Sequence, residues 1–252
     1  MGISCYLLFS HSFGFLVAQE VQQDFVARIF TNSSGIDMPY RLFIPKDYDT
    51  AASYPIIMYL HGGGGAGVDN IKQITGGNTN GAHVWVTSEN QAKYAAFVVA
   101  PQLSGSNRWN KPDSLRLSRY AQLATDLLEA LQQEFSIDRD RIYLTGQSRG
   151  GFGTWDIVSK HPDIFAAAVP LCGGGIPSAA KVLRDLPIWA FHGARDSVIP
   201  VERSREMVAA LRQLGGNVRY TEYPEVGHAV WEKAYFEPEL IDWLFAQRRK
   251  KQ

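Results

Sequence analysis

Short apolar segments alternate with helix-like segments along this sequence from residue 54 onward. The apolar segments are nearly continuous in their hydrophobicity and lie at residues 54–62, 94–102, 140–146, 165–173 and 186–193. Strands covered on both faces have this pattern, because neither face meets water. The alternation therefore predicts a mostly parallel sheet with helices on both sides.

The segments between these strands have the periodicity of amphipathic helices. In residues 117–135, apolar side chains recur every three or four positions, which places them on one face of a helix. Residues 201–215 and 237–247 follow the same pattern, whereas residues 25–30 and 38–45 alternate like antiparallel strands at the edge of a sheet. The sequence thus predicts an α/β fold with three layers.

The first residues differ in character from the rest of the chain. Residues 3–18 are mostly apolar, contain no Asp, Glu, Lys or Arg, and end on a small residue. This shape is typical of a signal peptide, and it predicts that residues 1–20 direct export to the periplasm or the outside. The alternatives are a buried or disordered N-terminal arm or a wrongly assigned start codon, with a cytoplasmic location. Residues 21–252 contain no repeat or linker and are expected to form a single domain.

The charge balance and the hydropathy exclude several kinds of partner. Lys and Arg total 25, as do Asp and Glu, so no long-range positive field attracts nucleic acid or an anionic membrane. Serine and histidine interrupt the apolar segment at residues 3–18, and no later segment approaches the length of a span, so no membrane-spanning helix is expected. The sequence gives no indication of an oligomeric state.

The cysteines and histidines do not form a metal-binding pattern. Only two cysteines are present, and Cys5 lies within the possible signal peptide, so a disulfide framework is not expected. Cys172 follows an apolar run and is predicted to be a small core residue. His61 and His192 each precede a glycine at a predicted strand end and are expected to hold loops by hydrogen bonds. We predict no catalytic metal and no cofactor.

The stretch TGQSRGGFGTW carries the strongest chemical signal. A G-x-S-x-G pattern alone is weak, but Ser148 stands directly after the predicted strand RIYLTG and directly before a helical segment. This is the context of a nucleophile elbow, a sharp strand-to-helix turn that exposes a serine hydroxyl. Gly146 and Gly150 fit this turn, because side chains at those positions would collide as it closes. Ser148 is therefore the candidate nucleophile.

A serine nucleophile needs a base and a third group that orients the base. In proteins with a nucleophile elbow these follow along the chain in the order serine, acid, histidine. Asp196 comes just after the predicted strand PIWAF, and His228 comes just after the predicted strand VRYTEY. Both are expected at the carboxyl edge of the sheet, together with Ser148.

An oxyanion hole needs two amide donors, one of them from the residue after the nucleophile. That residue is Arg149. The glycines of LHGGGGAG are the candidate source of the other donor, with Gly63 as the first choice and Gly64 as the second. A phosphate-binding loop is the competing interpretation of so many glycines, but no G-K-[ST] follows them.

Several motifs together resemble those of lidless α/β-hydrolase serine esterases. These motifs are LHGGGG, GQSRGGFGTWDIVSKHPDIFAAAVPLCGGG, HGARDSVIP and GHAVW, and the similarity covers about residues 22–245. The group includes dienelactone hydrolases, polyhydroxybutyrate depolymerases, feruloyl esterases and the prolyl-oligopeptidase-like catalytic domain. The resemblance implies a twisted, mostly parallel sheet without a cap domain, and acyl-enzyme chemistry with Ser148, Asp196 and His228 as a triad.

The same resemblance implies that the amides of Gly63 and Arg149 bind the oxyanion. The group often has methionine or glutamine where this sequence has Arg149, and dienelactone hydrolases have a cysteine where it has Ser148, which argues against dienelactone chemistry. For the Arg149 side chain, two roles are open. A carboxylate or carbonyls of the connection at residues 61–90 hold it in place, or it recognises an acidic group of the substrate.

The expected activity is hydrolysis of a carboxylic ester, either a small molecule or one linked to a glycan. The connection after the strand at residues 165–173 is too short for a helical lid, which favours soluble short-acyl, aryl or sugar-linked esters. Long connections at residues 61–90 and 103–114 are expected to rim the site. Trp109 and Trp231 are candidate aromatic walls for the substrate, with a place in the core as the alternative. The competing functions are a serine peptidase of the prolyl-oligopeptidase-like type and a binding module without activity.

Overall fold

The sheet follows the predicted strands closely. The structure, a computed structural model, describes residues 24–249, so the expected signal peptide lies outside the described residues. Within this range the strands are β1 (Val26–Thr31), β2 (Asp37–Phe43), β3 (Tyr54–Leu60), β4 (Phe97–Pro101), β5 (Ile137–Gln147), β6 (Ala167–Leu171), β7 (Ile188–Gly193) and β8 (Val218–Tyr223). Each predicted strand segment overlaps one of them, and β5 extends beyond its predicted segment at both ends.

The strands form one sheet that is antiparallel at one edge and parallel elsewhere. The order is β1-β2-β4-β3-β5-β6-β7-β8. Strand β1 runs antiparallel to β2, and β2 runs antiparallel to β4, whereas the pairs from β4 to β8 are parallel. The prediction of antiparallel edge strands near the start of the chain is confirmed.

The register brings several strand ends to the same edge. Leu60 at the end of β3 pairs with Gly146 in β5, and Gly193 at the end of β7 pairs with Tyr223 at the end of β8. The loops that follow these strands therefore begin side by side. This carboxyl edge is where ligands bind in open α/β sheets.

The helices agree with the predicted periodicity. They are α1 (Thr79–His83), α2 (Ser88–Lys93), α3 (Arg119–Glu134), α4 (Arg149–Lys160), α5 (Ala180–Leu183), α6 (Glu202–Gln213), α7 (Trp231–Ala234) and α8 (Leu240–Phe245). Helix α3 begins after Ser118, whose hydroxyl accepts a hydrogen bond from the Ala121 amide at 3.1 Å, an ordinary N-cap. The three helices predicted from periodicity correspond to α3, α6 and α8.

Side chains of the central strands alternate between two cores. Ile56 and Met58 of β3 pack in the same cluster as Leu127 of α3, whereas Tyr59 packs on the opposite face in the same cluster as Leu244 of α8. This alternation is the strand period, and here each face of the sheet is covered by helices. The predicted three-layer architecture is confirmed, and it is that of an α/β-hydrolase.

The connections between the strands differ in length and in the secondary structure that they contain. Between β6 and β7 the chain forms only a 3₁₀ turn at Pro177–Ala179 and helix α5, so no cap domain is inserted there. The connection that follows β3 contains α1, α2 and three short 3₁₀ segments (Gly63–Gly65, Lys72–Ile74 and Gly76–Asn78). Across residues 24–249, no helix has the length and apolar character to cross a membrane.

Candidate active site

Ser148 occupies the predicted turn between β5 and α4 in a strained conformation. Its backbone has φ 54° and ψ −115°, a region that residues other than glycine rarely adopt. Its amide donates to the carbonyl of Leu171 at 3.0 Å and lies 3.3 Å from the Sγ of Cys172. Contacts with the end of β6 thus hold the backbone of this serine in the turn, as a nucleophile elbow requires.

The glycines around Ser148 are needed because backbone segments approach closely. A Cβ at Gly150 would lie 1.9 Å from the carbonyl oxygen of Leu60, and one at Gly146 would lie 2.6 Å from the carbonyl oxygen of Gly150. No rotamer relieves a clash with backbone atoms. These contacts are the structural reason for the motif and for the predicted collision.

The structure brings the three predicted residues Ser148, Asp196 and His228 together. The Ser148 Oγ lies 2.9 Å from the Nε2 of His228, and the Nδ1 of His228 lies 2.7 Å from the Oδ2 of Asp196. With the imidazole proton on Nδ1, His228 donates to the carboxylate and accepts from the serine hydroxyl. The imidazole is one-fifth exposed, whereas the Asp196 side chain is fully buried.

Asp196 is held as a carboxylate by four donors. Its Oδ1 accepts from the amides of Val198 at 2.9 Å and Ile199 at 2.8 Å, and its Oδ2 faces the imidazoles of His228 and His192. Burial by itself would raise the pKa of this carboxyl, but the Ile199 amide and the His228 imidazole outweigh it and hold the pKa below its usual value. The group that orients the base is thus ionised at neutral pH.

His192 touches the same carboxylate from the interior. Its Nε2 lies 3.3 Å from the Oδ2 of Asp196 and 3.1 Å from the carbonyl oxygen of Ile199, and its Nδ1 lies 2.8 Å from the Ser204 hydroxyl. Two acceptors at Nε2 place the proton of the neutral ring there. Burial lowers the pKa of His192. Its expected role of holding a loop is confirmed, and its contact with Asp196 was not predicted.

His61 holds the connection after β3 against the one after β4. Its Nδ1 lies 2.6 Å from the carbonyl oxygen of Gly62, and its Nε2 accepts from the Leu103 amide at 3.1 Å. Burial lowers the pKa of His61 to about 4, so the ring is neutral and carries its proton on Nδ1. The predicted loop-holding role of this histidine is confirmed as well.

Gly63 and Arg149 lie where their amides have no helical partner. Gly63 begins a 3₁₀ turn and Arg149 begins α4, and the first amides of a helix lack an intrahelical acceptor. The amide that precedes Gly63 in the loop, that of Gly62, already donates to the Oδ1 of Asn78 at 2.9 Å. This contact favours Gly63 as the first available donor of the loop. Asn78 was not predicted, since no local pattern marks it.

The guanidinium of Arg149 reaches a different connection from the one expected. Its Nη1 makes long hydrogen bonds, 3.4 Å to the carbonyl oxygen of Gly105 and 3.3 Å to that of Asn107. Both carbonyls belong to the connection at residues 103–114, not to the one at residues 61–90. Among residues 24–249, no carboxylate pairs with Arg149 in an ion pair.

The two candidate aromatic walls have different environments. Trp109 is fully buried, its Nε1 donates to the carbonyl oxygen of His61 at 3.2 Å, and its ring packs edge-on against the His61 ring. It therefore belongs to the core, and the idea that it forms a wall for substrate is corrected. Trp231 is half-buried and lies edge-on to the His228 ring, with the ring centroids 5.3 Å apart. It remains a candidate for substrate contact.

One group of side chains in the described part of the chain has the spacing of metal ligands. Ligand atoms of Cys172, Asp196 and His228 lie within 4.8 Å of one another. The carboxylate and the imidazole already bind each other there, and burial raises the pKa of the Cys172 thiol well above its ordinary value. A protonated thiol is a poor metal ligand. The position of Cys172 agrees with its prediction as a small buried residue.

Comparison with known proteins points to one family. The model of the Esterase family matches residues 31–197, a range that contains Ser148 and Asp196. A bifunctional acetylxylan esterase/xylanase of Neocallimastix patriciarum is 27% identical over 172 residues, which are 68% of this chain and 23% of that protein. A probable feruloyl esterase C of Aspergillus terreus is 27% identical over 177 residues, 70% of this chain and 62% of that protein. The chain thus spans less than two thirds of either relative.

A solved structure extends the similarity beyond the range of the family model. The crystal structure of a thermostable esterase is 38% identical, with a TM-score of 0.87, and the match covers 91% of this chain and 64% of that one.

Proposed function

Because this chain belongs to the Esterase family, we propose that it hydrolyses carboxylic esters through an acyl-enzyme formed on Ser148. Carboxylic ester hydrolysis follows from the family. The acyl-enzyme rests on one observation, the continuous hydrogen-bond chain from the Ser148 hydroxyl through His228 to Asp196. Residues 21–252 form the single catalytic domain of this proposal.

Each of the three hydrogen-bonded residues has one task in the proposed reaction. His228 takes the proton of Ser148 through Nε2 while the serine oxygen attacks the ester carbonyl, and the imidazolium then gives that proton to the departing alcohol. In the second half, His228 takes a proton from the water that attacks the acyl-enzyme. It then returns this proton to the Ser148 oxygen as the acid is released. Asp196 holds the tautomer of His228 and stabilises the imidazolium that forms.

Two amides stabilise the oxyanion of each tetrahedral intermediate. We assign them to Gly63 and Arg149, because both begin helical turns and have no intrahelical acceptor. Arg149 also lies at the amino end of α4, where the aligned peptide dipoles favour negative charge.

The substrates we infer are soluble short-acyl, aryl or sugar-linked esters. The relatives are named as feruloyl and acetylxylan esterases, and no cap domain separates the site from solvent between β6 and β7. Trp231, beside His228, is the candidate contact for a flat acyl group. The signal-peptide pattern of residues 1–20 suggests that the enzyme works outside the cytoplasm.

A substrate panel tests this function. We expect p-nitrophenyl esters to be hydrolysed with kcat/KM highest at acyl chains of about two to six carbons, because each methylene gains about 0.8 kcal/mol only while it is buried. Ser148→Ala should lower turnover by several orders of magnitude. Preferential cleavage of peptidyl anilides would favour a peptidase, and no turnover of either class would favour a binding module. A rate that climbs through dodecanoyl would contradict the open cleft.

A further inference from the structure

A groove beside the nucleophile elbow has no task in the reaction proposed above. It has a volume of about 760 Å³ and lies along α4, between residues 108–115 on one side and residues 174–182 on the other. Phe152, Asp156 and Lys160 of α4 line it at four-residue spacing. At 1.5 Å per residue, this line of side chains is about 12 Å long. The groove can therefore hold a substantial part of a substrate.

One end of the groove adjoins Ser148. The amide of Phe152 donates to the carbonyl oxygen of Ser148 at 3.0 Å, one helical turn away. On the other side, Gly174 is two residues beyond Cys172, whose Sγ lies 3.3 Å from the Ser148 amide. The groove thus begins at residues that contact the backbone of Ser148, while Ser148 itself is not among its lining residues.

An arginine stands on each side of the groove near that end. Arg108 follows Asn107, whose carbonyl accepts from the Arg149 guanidinium beside the elbow. Arg203 is the second residue of α6 and packs so closely on Gly174 that a Cβ there would lie 2.7 Å from the Arg203 Cβ. Both are exposed, and within residues 24–249 neither forms an ion pair.

The wall that carries Arg108 is anchored to α4 by buried polar contacts. The ammonium of Lys160 lies 2.8 Å from both oxygens of Asp156 and 2.8 Å from the carbonyl oxygen of Lys111. The Lys111 amide in turn donates to Asp156 at 3.1 Å. The side chains of this ion pair are only 10% and 8% exposed. Three residues after Arg108, the loop is therefore fixed before any ligand arrives.

The opposite wall is anchored to α6. The hydroxyl of Ser204 in α6 lies 2.9 Å from the carbonyl oxygen of Gly173, which immediately precedes the wall formed by residues 174–182. Because both walls are built in the free protein, a ligand would not have to order them, which lowers the free-energy cost of binding.

The charges and apolar groups of the groove indicate what it would bind. Asp156 and Lys160 neutralise each other, which leaves Arg108 and Arg203 against the exposed carboxylate of Asp113. The excess of positive charge is local, because the whole chain has net charge zero. Exposed apolar side chains also line the groove, namely Leu115, Ile176 and Val182.

We propose that this groove selects esters that carry a carboxylate at a distance from the reacting carbonyl. The guanidinium groups of Arg108 and Arg203 would bind the carboxylate, since their paired N–H donors match its two oxygens. The proposal rests on the proposed esterase function and names its substrate class. The carboxylate has two sources, the acid side in a monoester of a dicarboxylic acid, or the alcohol side in an ester of a uronic acid.

Paired substrates separate these sources and test the proposal. For the acid side, p-nitrophenyl hemisuccinate is compared with p-nitrophenyl butyrate; for the alcohol side, an acetyl ester of glucuronate is compared with the same acetyl ester of glucose. We expect one charged substrate to exceed its neutral partner in kcat/KM by about tenfold. Arg108→Gln and Arg203→Gln should each lower that ratio by roughly three- to tenfold. Arg212→Gln, which removes the same charge elsewhere on α6, should keep the wild-type ratio.

Three results would overturn the proposal: no preference in either pair, a preference that survives in the double variant of Arg108 and Arg203, or an equal loss in Arg212→Gln. Failure of the wild-type protein to hydrolyse any of the four esters would instead contradict the proposed function. In that case calorimetry with free succinate and glucuronate decides the groove on its own. Binding that is lost in Arg203→Gln would support it, and no binding to the wild-type protein would contradict it.

Discussion

Two histidines lie against the same carboxylate oxygen of Asp196, yet they are suited to different tasks. His228 is 2.7 Å from that oxygen, is one-fifth exposed, and presents its other nitrogen to Ser148. His192 is 3.3 Å from it, is fully buried, and divides its Nε2 proton between Asp196 and the carbonyl oxygen of Ile199. Only the first is placed to exchange protons with a substrate.

The difference shows that contact with a carboxylate does not by itself make a histidine a base. A general base must reach both the nucleophile and the departing group, so one nitrogen has to face an accessible site. Both nitrogens of His192 are occupied by groups of the protein, Ser204 at Nδ1 and Ile199 at Nε2. Its task is to hold Asp196 and the start of α6, and we treat it as a positioning residue.

The largest expected effect is the removal of His228. We expect His228→Ala to lower kcat by about 10⁴- to 10⁶-fold, because Ser148 then has no proton acceptor. The measurement is turnover of p-nitrophenyl acetate, with circular dichroism to verify folding. A loss of less than tenfold would mean that another group acts as the base and would contradict the different tasks assigned to the two histidines.

His192→Asn is expected to have an intermediate effect. Loss of one donor allows Asp196 and the His228 ring to shift, and a misplacement of this kind costs about 10- to 100-fold in kcat. KM should change little, since His192 touches no substrate. His161→Asn, a half-exposed histidine at the end of α4, is the matched control. A loss as large as that in His228→Ala, or none at all, would contradict the positioning role.

The sequence predicted the positions of the candidate catalytic residues better than their surroundings. Ser148 and Asp196 each follow a strand whose apolar run is visible in the sequence, and His228 follows the predicted strand VRYTEY. The register of the parallel strands brings those ends together. The contact of Asn78 with Gly62 joins residues that are 16 positions apart, and no local pattern marks such a pair.

Burial of single side chains was equally hard to predict. Trp109 lies in a loop without helix or strand, and its indole is buried because that loop packs it into the core, where it also contacts the His61 ring. The start of β5 is polar in sequence, yet Ile137 there pairs with Tyr54 of β3. In both places tertiary contacts outweigh the local pattern.

The smallest expected effect concerns stability in acid. Burial keeps the pKa of His192 below its ordinary value, so the unfolded chain binds a proton before the folded protein does as the pH falls. The free energy of unfolding should therefore decrease below about pH 6.5, by up to about 1.4 kcal/mol per pH unit, until the folded protein also binds the proton. Denaturant unfolding of His192→Asn should show a shallower decrease than the wild-type protein. Equal slopes would mean that His192 is not held neutral.

Direct detection of the acyl-enzyme tests the central claim. The protein is mixed with p-nitrophenyl acetate, quenched in acid within the first turnover, digested, and its peptides are mapped by mass spectrometry. We predict one acetyl group on Ser148 in the wild-type protein and none on that peptide in Ser148→Ala. An acetyl group on any other residue, or rapid ester hydrolysis that continues unchanged in Ser148→Ala, would contradict the account.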